Sequence, residues 1–168
     1  IPARGGSKGI KLKNIKKING MPLIAYTAKV VSKSKFIDRA VVSTDNKKIR
    51  DISIEFGLDC PFMRPKKLSG PRVPDMPVLI HALKKIEKID NTKYDIVLML
   101  QPTSPLRSKS ILERAVKLLE EKKYEAVWSI SKIDKKFHEK KQLKLNEDGF
   151  LSYSSMDNAY LFIFIGFS

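Results

Sequence analysis

Short β-branched runs alternate with amphipathic stretches along this chain, and few folds accept that alternation. Val41-Val42-Ser43, Asp59 to Met63, Ile96 to Leu100 and Val127 to Ile130 read as strands. Between them the apolar residues return at helical spacing: Leu23, Ile24, Tyr26, Thr27, Val30 and Val31 in the stretch Pro22 to Ser32, and Ile49, Ile52 and Phe56 in Asn46 to Phe56. Further helices are predicted from about Asp75 to Lys88 and after a cap at Ser108 or Ser110. The expected fold is α/β with a mainly parallel sheet. Ile96 to Leu100, the most apolar run of this kind, is expected at its centre.

Two features punctuate the pattern. Gly57 follows the second helical stretch as its stop. Pro102 and Pro105 in the segment Gln101-Pro102-Thr103-Ser104-Pro105 forbid further pairing after the strand Ile96 to Leu100. Residues 131–155 are lysine-rich and poorly periodic, and are expected to form a small protruding arm. The whole chain, 1–168, is read as one domain.

Composition matters mainly through charge. The formal net charge is +15, a balance compatible with nucleic acid, anionic surfaces or phosphorylated small molecules. The lysines are spread over every segment, in pairs such as Lys16-Lys17 and Lys84-Lys85, which argues against a dedicated nucleic-acid groove. The apolar stretch Tyr160 to Phe167 is too short to span a bilayer. Neither nucleic acid nor membrane is an expected partner. The single cysteine, Cys60, excludes an internal disulfide and a multi-cysteine metal site and suits a reducing cytoplasm; it is expected to be a small buried hydrophobe.

In open parallel sheets, ligands bind beyond the carboxyl ends of the strands. Three polar loops fall there: Arg4 to Asn14, Ser43 to Asn46 and Gln101 to Arg107. The first is Ala3-Arg4-Gly5-Gly6-Ser7-Lys8-Gly9 followed by Lys13-Asn14. Its glycines let backbone N–H groups approach an anion, and Arg4, Lys8 and Lys13 add positive charge of the kind that a triphosphate carrying about four negative charges requires. The spacing matches neither the dinucleotide fingerprint nor the Walker loop. Asp45 and Asp75 are open to two readings, as helix caps or as residues facing the cleft, with a metal role possible for Asp45. His81 and His138 read as packing or surface residues.

Taken together, Ile-Pro-Ala-Arg-Gly-Gly-Ser-Lys-Gly at 1–9, Lys13-Asn14, Ser-Thr-Asp at 43–45, Arg64-Pro65 and Gln-Pro-Thr-Ser-Pro-Leu-Arg at 101–107 resemble the acylneuraminate cytidylyltransferases, the CMP-sialic acid synthetases. The resemblance runs to about Ser131. It implies a three-layer, Rossmann-like nucleotidyltransferase domain working as a homodimer through the 131–155 arm. It also implies CTP and a nine-carbon 2-keto sugar acid as substrates, Mg²⁺ as cofactor, and a place in lipopolysaccharide or capsule synthesis. It assigns the nucleotide to Ala3, Arg4, Gly5, Gly6, Ser7, Lys8, Gly9, Lys13, Asn14, Arg72 and Asp75, with Arg4, Lys8 and Lys13 catalytic. The sugar falls to Gln101, Thr103, Ser104, Arg107 and Arg64. Relatives with another acceptor, such as Kdo, share the Pro-Ala-Arg start, and a homologue that only binds nucleotide or polyanions is a further alternative. Both ends of the chain are expected to be truncated relative to the family, because it starts at Ile1 without a methionine, stops inside an apolar run, and does not contain the family's C-terminal metal-binding Asp motif. Asn158-Ala159-Tyr160 is at most an echo of the family's Asn-Gly-Ala strand.

Overall fold

A computed structural model describes residues 1–7, 9–122, 124–130 and 143–153. Lys8, His138, Asn158 to Tyr160 and most of the arm therefore lie outside the described residues.

Three segments meet side by side in parallel. Pro2 bridges Ser43, Val41 bridges Asp59 and Thr44 bridges Met63, so residues 41–44 lie between residues 1–3 and residues 59–63. On one side Ser43 donates its N–H to Ile1 O (3.0 Å) and Ala3 donates to Ser43 O (2.9 Å). On the other, Val42 donates to Asp59 O (2.8 Å). Such a row forms because Val41, Val42 and the residues beside them are β-branched or small and are covered by helices.

A hairpin, β1 (Lys17–Ile18) and β2 (Met21–Pro22), follows the opening loop. Asn19 and Gly20 turn it with φ of 49° and 78°, the two positive values a two-residue hairpin turn needs. That Asn-Gly signal stands plainly in the sequence although the helical pattern beside it draws the eye first. Pro22 then leads into α1 (Leu23–Val31), which buries Leu23, Ile24, Ala25, Thr27 and Ala28. Helix α2 (Lys47–Glu55) starts at Asn46, whose side-chain oxygen accepts from Lys48 N (3.0 Å) and Ile49 N (3.3 Å). It ends before Gly57, whose φ is +78°. Helix α3 (Asp75–Asp90) follows a loop bounded by Pro65 and Pro74, and α4 (Lys109–Lys122) follows Ser108, whose hydroxyl accepts from Ile111 N at 3.4 Å.

One core cluster joins these pieces: Ala3, Ile24, Ala28, Val42, Ile49, Leu58 and Cys60. Ile24, Val42 and Ile49 are fully inaccessible, each contributing roughly 1.5–3 kcal/mol by leaving water. Cys60 is the expected buried hydrophobe, with its thiol pushed up by burial and its Sγ 3.3 Å from Val42 O.

Two strand expectations fail. Residues 96–100 and 127–130 pair with no neighbour among the described residues. For 127–130 the reason is exposure, since Ser129 and Ile130 face solvent and half-bury nothing. For 96–100 the reason is a gap: the segment is half-buried beside an apolar slot. In the arm region, β3 (Leu143–Leu145) and β4 (Leu151–Tyr153) form an antiparallel hairpin. No helix of the described residues is long and apolar enough to cross a membrane.

Candidate active site

The parallel segments all end at one side, so the loops that leave them converge there. A cleft of about 450 Å³ lies between the opening loop, the 64–75 loop and residues 101–103. Nine residues singled out from the sequence line it: Arg4, Ser7, Gly9, Lys13, Asn14, Arg64, Asp75, Gln101 and Thr103.

The opening loop is held from behind. Gly5 donates its N–H to Asp45 Oδ1 at 2.8 Å, and Ser7 N donates to Gly5 O at 3.0 Å. Buried Asn14, on a 3₁₀ turn at Lys13–Ile15, donates through Nδ2 to Arg4 O at 3.1 Å. Arg4 in turn donates from a guanidinium nitrogen to Gly6 O at 2.7 Å. Gly5 is there for space: a Cβ would stand 2.9 Å from Asn46 Cβ. These contacts shape a loop that can present backbone N–H groups and the Arg4 and Lys13 cations to an anion.

Asp45 resolves differently from both of its readings. The cap of α2 is Asn46, and the Asp45 carboxylate serves the glycine loop. Asp75 is not a cap either: it sits in the first turn of α3 behind Pro74, with Oδ2 at 3.5 Å from Gln101 Nε2. Its negative charge near the N-terminus of α3 suits the helix dipole.

Arg64 departs most from its assignment. It is buried and donates from Nε to Ser43 Oγ (3.0 Å) and from Nη2 to Ser43 O, which ties the 64–75 loop to the end of the central segment. Burial pulls its pKa down, opposed by the Asp45 and Asp75 carboxylates; a guanidinium stays charged regardless. Part of it still borders the cleft. Arg107 donates to Gln101 O at 3.1 Å, while its other terminal nitrogen is buried without a partner among the described residues. Burial lowers its pKa too.

Ala3, Gly5, Gly6, Arg72, Ser104 and Arg107 do not line the cleft. Ala3 is wholly buried in the core, and Arg72 and Ser104 are exposed. What the sequence reading passed over is the apolar side of the cleft, formed by Ile10, Leu68, Val73 and Val78. The signal was the two prolines that frame 65–74, which force a loop across the mouth. His81 packs against the Phe62 ring edge-on (5.3 Å, 82°), as its packing role predicts; burial, then Lys85, Arg64 and Lys67, lower its pKa.

Among the described residues, the cleft sets Arg4, Lys13 and Arg64 against one carboxylate, Asp75. A positive, half-apolar cleft of this kind fits a phosphorylated ligand with a planar ring.

Comparison with known proteins is consistent with that geometry. A family model described as cytidylyltransferase matches residues 1–159. A CMP-N,N'-diacetyllegionaminic acid synthase of Legionella pneumophila is 37% identical over 118 residues, covering 70% of this chain and 50% of that one. A pseudaminic acid cytidylyltransferase of Campylobacter jejuni is 38% identical over 115 residues, 68% of this chain and 49% of that one. An N-acylneuraminate cytidylyltransferase of Escherichia coli is 34% identical over 136 residues, 80% of this chain and 31% of that one. The chain thus spans half or less of the length of these curated relatives. Among solved structures, a CMP:2-keto-3-deoxy-manno-octonic acid synthetase complexed with CTP matches 71% of the chain and 45% of its own, at a TM-score of 0.59 and 22% identity. A likeness at that identity shows the fold, which is the nucleotidyltransferase α/β fold.

Proposed function

Because the chain belongs to the cytidylyltransferase family, we propose that it transfers the cytidine monophosphate group of CTP to the anomeric hydroxyl of a nine-carbon 2-keto sugar acid. The observation that carries this reading is the convergence of the glycine loop, Lys13, Arg64, Asp75 and Gln101 on one cleft. The acceptor class follows the relatives at 34–38% identity, whose names specify legionaminic, pseudaminic and N-acylneuraminic acids.

In this reading the hydroxyl oxygen attacks the α-phosphorus in line. The new O–P bond forms as the bond to the bridging oxygen breaks, pyrophosphate leaves and the hydroxyl proton is released. Charge grows on the bridging and equatorial oxygens, so positioned cations do most of the work. Arg4 and Lys13, with Lys8 from the same loop, are the residues proposed for it. Asn14 acts through Arg4 by holding its carbonyl. The wall of Leu68, Val73 and Val78 offers a surface for the pyrimidine, while Gln101 and Thr103 face the sugar.

Mg²⁺ belongs to the same proposal. No group of three His, Cys, Asp or Glu suited to a metal occurs among the described residues, and Asp75 is their only carboxylate lining the cleft. That donor set suits an ion held mostly by nucleotide phosphates and water, with Asp75 as the protein's contribution. Such an ion would neutralise phosphate charge. The reading includes a homodimer, with the β3–β4 hairpin in the region that reaches the partner.

The test is pyrophosphate release from CTP and Mg²⁺ with N,N'-diacetyllegionaminate, pseudaminate, N-acetylneuraminate and Kdo, beside Lys13→Ala. Release with a nine-carbon acid, reduced at least tenfold by the substitution, is the expected outcome. Release with Kdo alone would overturn the acceptor class, and no release with any acid would overturn the activity of this chain.

A further inference from the structure

The peptide group that joins Arg4 to Gly5 is held at both of its poles. Its carbonyl, Arg4 O, accepts from Asn14 Nδ2 at 3.1 Å, and its N–H, on Gly5, donates to Asp45 Oδ1 at 2.8 Å. The two poles of a trans peptide point in opposite directions, so two side chains fix the plane against rotation. Gly5 and Gly6 follow at once, and glycine has more backbone freedom to lose than any other residue. Rotation of the plane would carry both glycines with it, along the part of the loop that leads to Ser7 in the cleft.

The topology puts Asp45 where it can do this. It leaves the middle of three parallel segments, so it stands between the loops that leave the other two. Toward the first it accepts from Gly5. Toward the third, Ser43 accepts from Arg64 through both its hydroxyl and its carbonyl. Asp45 does not line the cleft, and its charge offsets the burial of the Arg64 guanidinium. A carboxylate behind the loop, with a backbone donor on one side and a buried cation near it, has the surroundings of a brace and not of a metal ligand.

We propose that Asp45 is a positioning residue, which clamps the Arg4–Gly5 peptide together with Asn14 so that the glycine loop meets the CTP phosphates already shaped. It touches neither the nucleotide nor a metal ion. The inference rests on the proposed function for the identity of the ligand, while the clamp itself is read from the protein alone. A loop shaped in advance binds more tightly because less ordering accompanies binding.

The test measures CTP binding by calorimetry, in Mg²⁺ and again in EDTA, for the unmodified chain, Asp45→Ala and Asp45→Asn. Cytidine binding, followed by NMR, and amide exchange at Gly5 accompany it. Asp45→Ala is expected to weaken CTP binding about tenfold or more in both media and to speed Gly5 exchange by a similar factor. Cytidine, which carries no phosphate, should bind as before. Asp45→Asn keeps an acceptor oxygen and should recover most of the affinity; it decides the matter alone if the alanine variant does not fold. A loss confined to Mg²⁺ would make Asp45 a metal ligand and overturn the proposal. Equal losses for CTP and cytidine would show a general defect and overturn it too, as would an unchanged CTP affinity. Failure of the unmodified chain to bind CTP is a separate result: it overturns the proposed function, and Gly5 exchange then still decides whether the clamp exists.

Discussion

Gly5 faces Asn46 across 2.9 Å measured from the Cβ it lacks, so even alanine forces the glycine loop and the start of α2 apart. Overpacking of this kind costs about 1–3 kcal/mol. The same displacement would break the bond from Gly5 N to Asp45. Gly5→Ala should therefore weaken CTP binding about tenfold or more, roughly 1.4 kcal/mol, measured by calorimetry. Asn46→Gly in the same chain should restore part of the loss, because it removes the atom in the way. The glycine and the lysines of this loop were legible in the sequence as a phosphate-binding pattern. The partner of Gly5 was not, because Asp45 is forty residues away and its side chain admits two local roles.

Helix α2 shows what a short element needs when its own sequence is polar. It buries only Ile49 and Ser53 across its nine residues, so its cap carries unusual weight. Asn46→Ala removes both acceptor bonds to Lys48 N and Ile49 N, and should destabilise the chain by about 1 kcal/mol in urea unfolding. Asn46→Asp should keep the cap and lose little. At the far end of α3, Arg39 bridges Asp59 (2.8 Å) and Asp90 (3.0 Å), joining the third parallel segment to that helix. The helices were readable from spacing because a 3.6-residue period is a local property. Pairing is not local. Ile96 to Leu100 has the composition of a buried strand, yet its ladder depends on what lies beside it.

At the scale of the molecule, His81 makes folding sensitive to pH. Burial, then Lys85, Arg64 and Lys67, lower its pKa in the folded chain from the ordinary value of 6.5. As pH falls through that value the unfolded chain binds a proton that the folded chain does not. The contribution of His81 to stability is therefore full above pH 6.5 and declines as the medium becomes more acidic. Urea titrations at about pH 8, 6.5 and 5 should show the decline, and His81→Phe should flatten part of it. The chain's residues were enough to establish the alternation of elements, the caps, the glycine loop and the family resemblance. Each of these rests on neighbours within about one turn or one loop, or on a string of residues in order. Folding in three dimensions decided that Asp45 holds Gly5, that Arg64 is fastened to Ser43, and that an apolar wall faces the cations. It also decided that residues 96–100 border an apolar slot, with no ladder partner among the described residues. Those outcomes depend on contacts between distant segments, where side-chain chemistry permits several partners and packing selects one.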